Sequence, residues 1–247
     1  MVKNILIIGA TSLIAESYAQ LCAKNGDNLF LVGRDLVKLN AIKKNLINRG
    51  AKRVEIFKLD LNDYKNINPM INHLKVKFNK IDVALIAHGT LTNQDIASND
   101  LNYLVKEYRN NSESVIACLS LLALFFDHQG YGTIAVIGSV AGDRGRLSNY
   151  SYAASKAAIE TFCSGLRVKM FKRGVNLLLI KPGFVATPMT AKIMFPSFLV
   201  AKPEIVAKDI YQSIIKKKGV IYTPWFWYFI MALIRKIPQF IFRKTNF

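Results

Sequence analysis

Short apolar runs alternate with longer helical patterns along this chain, and that alternation limits the possible fold more than any other feature. Runs rich in Ile, Leu and Val fall at 4–8, 28–33, 53–58, 82–87, 132–138, 175–180 and 219–222. Between them, apolar residues recur at helical spacing over 13–25, 35–49, 64–79, about 95–127, 150–173 and 203–217. A strand that is apolar at successive positions must be buried on both faces, and helices laid over both sides of a parallel sheet achieve this. With right-handed crossovers, the pattern predicts a doubly wound parallel α/β sheet over 1–222 as one domain, with 223–247 left as a separate C-terminal segment.

The turn after the first run is a natural ligand site in such a sheet. Asn4-Ile5-Leu6-Ile7-Ile8 passes into Gly9-Ala10-Thr11-Ser12-Leu13-Ile14-Ala15, and a helical pattern follows at once. Strand, small-residue turn and helix place a pyrophosphate against free N–H groups and the positive end of the helix dipole. Gly9, Thr11, Ser12, Leu13 and Ile14 are therefore candidates for holding a dinucleotide in a Rossmann-like fold. Only Gly9 of the three customary glycines is present; Ala15 supplies the small residue needed for close helix–strand packing, and Leu13 departs from the pattern.

A second cluster lies further along. Gly132-Thr133-Ile134-Ala135-Val136-Ile137-Gly138 reads as a buried strand delivering the Ser139 hydroxyl at its C-terminal end. Tyr152 and Lys156 follow one loop later, four residues apart and so on one helix face. A free phenol titrates near ~10. A fixed ammonium beside it lowers that value, which makes a tyrosine a usable proton donor.

These residues carry a resemblance: from Asn4 to about Thr190 the chain is similar to the short-chain dehydrogenase/reductase family. Leu59-Asp60-Leu61-Asn62-Asp63 resembles the family's third-strand motif, whose acidic side chain contacts the adenine. Pro182-Gly183-Phe184-Val185-Ala186-Thr187 resembles its motif beside the nicotinamide. The resemblance implies further cofactor contacts at Asp60, Leu61, Ala87, Gly89, Pro182, Gly183, Val185 and Thr187. It also implies hydride transfer to a carbonyl carbon while Tyr152 protonates the oxygen. Ser139 would orient that oxygen, and Lys156 would bind the cofactor ribose and lower the Tyr152 pKa. An asparagine of the long middle helix completes the family's proton relay; Asn110 and Asn111 both offer themselves, and the position 28 residues before Ser139 favours Asn111. Ala87 stands where the family often has asparagine.

Four further segments resemble one branch of that family: Ala87-His88-Gly89-Thr90-Leu91, Ser139-Val140-Ala141-Gly142-Asp143-Arg144-Gly145-Arg146, Lys181-Pro182-Gly183-Phe184 and Thr187-Pro188-Met189-Thr190. That branch, the decaprenylphosphoryl-erythro-pentofuranosid-2-ulose 2-reductases, reduces a 2-keto sugar on a polyprenyl phosphate in cell-envelope polysaccharide synthesis. The alternatives are another carbonyl substrate (3-oxoacyl or steroid-like) and a cofactor-binding scaffold without turnover. The family also implies pairing of the two long helices into a homodimer or homotetramer, to which Leu119, Leu121, Leu122, Leu124, Phe125 and Phe126 would contribute.

Cofactor choice turns on Phe30-Leu31-Val32-Gly33-Arg34-Asp35. A carboxylate ending the second strand would accept from ribose hydroxyls and select NAD(H). Gly33 holds that place and Arg34 follows, which favours the extra phosphate of NADP(H). Asp35, one place later, keeps NAD(H) open unless it serves only as a helix N-cap. Arg144 and Arg146 would clamp a substrate phosphate, or lie in a solvated, salt-bridged loop. His88 either faces the ribose or packs. Cys22, Cys118 and Cys163 lack metal spacing and read as buried thiols in a reducing compartment, while His73 and His128 read as surface residues, so no metal is expected.

The net charge is +18, yet no nucleic-acid motif accompanies it. From Ser213 to Phe247 there are seven basic residues and no acid, around ten consecutive apolar residues from Trp225 to Ile234. That run is about half the ~20 needed to span a bilayer. Aromatics flanked by Lys and Arg suit the headgroup boundary. The segment therefore reads as a membrane-surface anchor on a cytoplasmic protein, peripheral on the inner face, or else as a segment docked on the body. As an anchor it would be removable after Thr223 with the cofactor site spared. No secretory signal is read at the start, where Gly9, Thr11, Ser12 and Glu16 interrupt the apolar run.

Overall fold

The computed structural model describes residues 1–190 and 196–245, so Asn246 and Phe247 of the C-terminal segment lie outside the described residues. Seven strands form one parallel sheet: β1 Asn4–Ile8, β2 Asn28–Gly33, β3 Arg53–Lys58, β4 Val83–Ile86, β5 Gly132–Ile137, β6 Val175–Pro182 and β9 Val220–Thr223. A two-residue pair, β7 Phe184–Val185 with β8 Val200–Ala201, lies apart from it. The order is β3-β2-β1-β4-β5-β6-β9, so the winding reverses between β1 and β4, where such sheets open a crevice for ligands.

Alternate residues of each strand feed two apolar layers. Leu6 and Ile8 of β1 face α3 (Ile67–Phe78), α6 (Ser114–Gln129) and α7 (Tyr150–Phe171), meeting Met70, Leu119 and Ile159. Ile5 and Ile7 face α1 (Leu13–Lys24), α2 (Leu36–Asn48) and α8 (Pro203–Ile215), meeting Tyr18, Leu39 and Ile210. Each such fully buried aliphatic side chain contributes roughly 1.5–3 kcal/mol, which fixes strand register as well as stability.

Two expectations are corrected here. The helix expected over about 95–127 is broken into α4 (Gln94–Asn99), α5 (Leu101–Tyr108), a π turn at Arg109–Glu113, and α6. Asp100 adopts extended backbone between α4 and α5, and its carboxylate accepts from the Tyr103 N–H at 3.0 Å to start α5 afresh. The apolar residues assigned to a partner surface also belong to this chain's own core: Leu119, Leu122, Phe125 and Phe126 are buried, Leu121 packs against them, and Leu124 alone of that set is open, at 51% exposure.

The C-terminal segment folds back onto the body as α9 (Trp227–Lys236) and α10 (Gln239–Phe242). Trp227 and Met231, 3% and 0% exposed, pack with Val140, against Phe184 and Tyr222. Trp225, Tyr228, Phe229, Leu233 and Phe240 remain exposed. Among the described residues, no helix is long and apolar enough to cross a membrane.

Candidate active site

Gly9 opens the site because nothing larger fits there. Its φ is +79°, and a Cβ would stand 2.6 Å from the His88 backbone nitrogen. The chain can thus turn tightly beside the end of β4. Ser12 then caps α1, its Oγ accepting from the Ala15 N–H at 3.3 Å. One cap satisfies one of the four free N–H groups of a helix start and leaves others for an anion.

A cleft of about 1110 Å³ crosses the strand ends from this turn. It is lined by all the expected cofactor residues: Gly9, Thr11, Ser12, Leu13, Ile14, Arg34, Asp60, Leu61, Ala87, Gly89, Pro182, Gly183, Val185 and Thr187, together with Ser139, Tyr152 and Lys156. Arg34, just after β2, and Lys38, in the first turn of α2, both line the cleft. Asp35 does not line the cleft; its carboxylate accepts from the Lys38 N–H at 3.0 Å and caps α2.

Ser139 follows β5 in extended conformation, and its Oγ accepts from the Ala141 N–H at 3.1 Å to begin a short 3-10 turn, Val140–Asp143. The same hydroxyl hydrogen-bonds Tyr152. Lys156 lies with Nζ 5.5 Å from the centre of the Tyr152 ring and 3.5 Å from the Ile137 carbonyl oxygen. The expected lowering of the tyrosine is not found. Burial pushes the Tyr152 phenol up to about 12, against a smaller downward pull from the Ser139 hydrogen bond. Burial also brings Lys156 down to about 8. Desolvation sets both values because both groups are enclosed. Tyr152 is therefore fully protonated near neutrality, the form in which it can donate.

The π turn rotates Asn111 inward, where it is completely buried. Its Oδ1 accepts from the Thr90 N–H at 2.8 Å and its Nδ2 donates to Thr90 Oγ1 at 3.2 Å. A Cβ added at Gly89 would lie 2.9 Å from Asn111 Oδ1 and 3.5 Å from Lys156 Nζ, so both groups meet behind that glycine. Of the two, Asn110 lines the cleft and Asn111 lies behind its wall; Asn110 accepts from Asn62 Nδ2 at 2.6 Å and donates to Glu107 at 3.3 Å. His88 is packed at the cleft wall: Nε2 pairs with Ser114 Oγ at 2.9 Å, while buried Nδ1 has no partner among the described residues. Burial, then the charges of Lys156 and Arg34, pull His88 down to about 3, so it is neutral near pH 7.

Sequence reasoning missed the polar cluster behind Ser139. Lys181 of β6 forms ion pairs with Asp143 and Glu160, and the Tyr222 hydroxyl donates to Asp143 Oδ2 at 2.8 Å. Burial works to lower Lys181, but the two carboxylates hold it above its usual range. The cluster ties the turn after Ser139 to the α7 turn that follows Lys156. A buried lysine inside a strand pattern was its only signal.

The two arginines separate. Arg144 does not face the cleft: its Nη1 donates to the carbonyl oxygens of Ile234 and Ile237, both at 2.6 Å, and its guanidinium stacks 3.7 Å from the Phe242 ring. The open carbonyls at the end of α9 attract that cation, which corrects its assignment to a substrate phosphate. Arg146 does line the cleft.

A parallel sheet with a glycine turn at its switch point and a Ser–Tyr–Lys group across the crevice defines an oxidoreductase that works with a nicotinamide dinucleotide. More narrowly, the chain belongs to the short chain dehydrogenase family, whose sequence profile matches residues 3–195. An uncharacterized oxidoreductase of Mycobacterium tuberculosis is 30% identical over 240 residues, covering 97% of this chain and 96% of the relative. A Drosophila melanogaster dehydrogenase/reductase described as SDR family protein 7-like is 26% identical, covering 87% and 71%. The fold matches a short-chain dehydrogenase from Sphingobium yanoikuyae in complex with NADPH, with TM-score 0.82 at 22% identity over 96% of this chain and 97% of that one. It also matches ElxO with NADP bound, with TM-score 0.80 at 22% identity over 90% and 97%.

Proposed function

We propose that this protein is an NADPH-dependent reductase that converts a ketone to a secondary alcohol, with a 2-keto sugar on a polyprenyl phosphate as substrate. The observation carrying the reaction is the protonated Tyr152, hydrogen-bonded to Ser139 and backed by Lys156 at the cleft wall. When bound, the nicotinamide supplies the hydride. Tyr152 gives its proton to the carbonyl oxygen, Ser139 fixes that oxygen, Lys156 holds ribose hydroxyls, and Asn111 keeps Gly89 and Thr90 in place and completes the proton path. The Gly9 turn fits a pyrophosphate, since its φ of +79°, with no room for a Cβ against His88, brings the chain tightly round to the free N–H groups at the start of α1. Arg34 and Lys38, with Asp35 occupied as a cap, favour the 2′-phosphate, and the two solved relatives holding NADPH and NADP agree with that preference. Steady-state kinetics with each cofactor test it: NADPH should be strongly preferred, and Arg34→Ala should erode the preference.

The lipid-linked substrate draws support from the exposed aromatic and basic surface of α9 and α10, where Trp225, Phe229, Leu233 and Phe240 stand among Arg235, Lys236, Arg243 and Lys244. Each cation near an anionic surface contributes on the order of 1 kcal/mol. Such a surface would bring the cleft to a substrate whose tail cannot leave the bilayer, on the cytoplasmic side. Full-length protein should pellet with anionic vesicles at low salt and release partly as salt rises; failure to pellet removes this support. Homodimer formation would use the exposed Leu124, Val168 and Phe171 of α6 and α7, and a monomer by light scattering at micromolar concentration would exclude it.

A further inference from the structure

Two polar side chains between Ser139 and Tyr152 line the cleft, each with a buried polar atom that has no partner among the described residues. Arg146 has its Nε buried without a hydrogen-bond partner, and its guanidinium makes no ion pair among the described residues. The Oδ1 of Asn149 is likewise buried and unpaired. Asn149 immediately precedes α7, where an asparagine ordinarily caps the helix with that oxygen. Here it makes no cap bond. Gln94 of α4 does so instead, its Oε1 accepting from the Ser151 N–H at 2.9 Å and its Nε2 donating to Ser151 Oγ at 3.0 Å. Asn149 is thereby left free to face the cleft.

Buried donors and acceptors without partners are costly, and a pair of them lining one cleft is a place for a bound group to satisfy. The carboxylates lining the cleft are Glu16 and Asp60, both carried by the elements of the cofactor turn and of β3, so none competes for Arg146 beside Tyr152. A guanidinium fork suits phosphate oxygens, and a free carbonyl oxygen suits a hydroxyl donor.

We infer that Arg146 and Asn149 form the polar subsite of the substrate, with Arg146 binding a phosphate group and Asn149 accepting from a neighbouring hydroxyl. This rests on the reductase reading above and narrows it to ketones that carry both groups, which a steroid-like ketone does not. The cofactor is the other source of phosphate in this cleft, and the test separates the two.

Geranyl phosphate, a water-soluble isoprenyl phosphate, is titrated into full-length protein saturated with NADP+, and into Arg146→Met and Arg146→Gln. NADP+ affinity is measured separately for each. Removing a charged hydrogen-bonding partner should weaken geranyl phosphate on the order of 10- to 100-fold in both variants, with NADP+ affinity unchanged. A substrate phosphate lacking the Asn149-directed hydroxyl should lose less on Asn149→Ala than one that has it. Undiminished geranyl phosphate binding in the variants overturns the inference, as does its absence in the parent protein. Weakened NADP+ binding alone overturns it too, because Arg146 would then serve the cofactor. Reduction of a keto-sugar phosphate is assayed separately: Arg146-dependent phosphate binding without such turnover upholds the subsite and removes that substrate.

Discussion

At the scale of single residues, burial rather than charge pairing sets the proton chemistry of the site. Tyr152 at about 12 is an acid in waiting, and its removal in Tyr152→Phe should lower turnover by roughly 10²–10⁴-fold while NADPH affinity, measured by fluorescence titration, stays near the parent value. Lys156 near 8 loses its charge as pH rises through that value, so kcat/KM for reduction should fall on the alkaline side of about 8. Stability responds with the opposite sign. The folded pKa is depressed below the unfolded 10.5, so between about 8 and 10.5 the unfolded chain binds more protons and stability rises with pH. Lys156→Met should abolish that increment, seen as a smaller gain in urea midpoint from pH 8 to 10 than in the parent protein. The spacing of Tyr152 and Lys156 was legible in the sequence, because four residues always share a helix face. Their titration was not, since it depends on enclosure by segments distant in the chain. Arg144 was misread for the same reason: its partners lie 90 to 95 residues further on.

Among the elements, the seven strands of the main sheet and the helices α1, α2, α3, α7 and α8 were legible within about three residues, because buried parallel strands leave continuous apolar runs. The middle helix was not. Its apolar periodicity continues across Asp100, and the extended backbone there leaves no mark in that pattern. Asp100→Ala should lose the cap on α5 and reduce stability by roughly 0.5–2 kcal/mol in denaturant titration. The π turn after α5 has a larger role, since it aims Asn111 at Thr90. Asn111→Ala would leave the Thr90 N–H without its acceptor, and a buried unpaired donor costs about 1–3 kcal/mol. Thermal unfolding and turnover should fall together in that variant. Asn111→Asp, which retains an acceptor, should recover more stability than activity.

For the molecule as a whole, the C-terminal segment is the main revision. Its composition left open an anchor removable after Thr223 or a segment docked on the body; Trp227 and Met231 close an apolar cluster directly behind the turn that follows Ser139. Truncation there should therefore lower the melting temperature and impair turnover. Trp227→Ala alone should cost about 3–5 kcal/mol, measurable by denaturant unfolding, as expected for a large buried aromatic. Sequence could show that the segment is aromatic and basic, but not which of its rings face inward. Arg144 gives that packing a further consequence. One guanidinium joins the loop beside the proton donor to the last carbonyls of α9 and the ring of Phe242, so the outermost helices are tied by direct contacts to the turn that follows Ser139. If the exposed aromatics dock on anionic vesicles, the rate of reduction of a soluble ketone should change when vesicles are added; an unchanged rate removes that coupling.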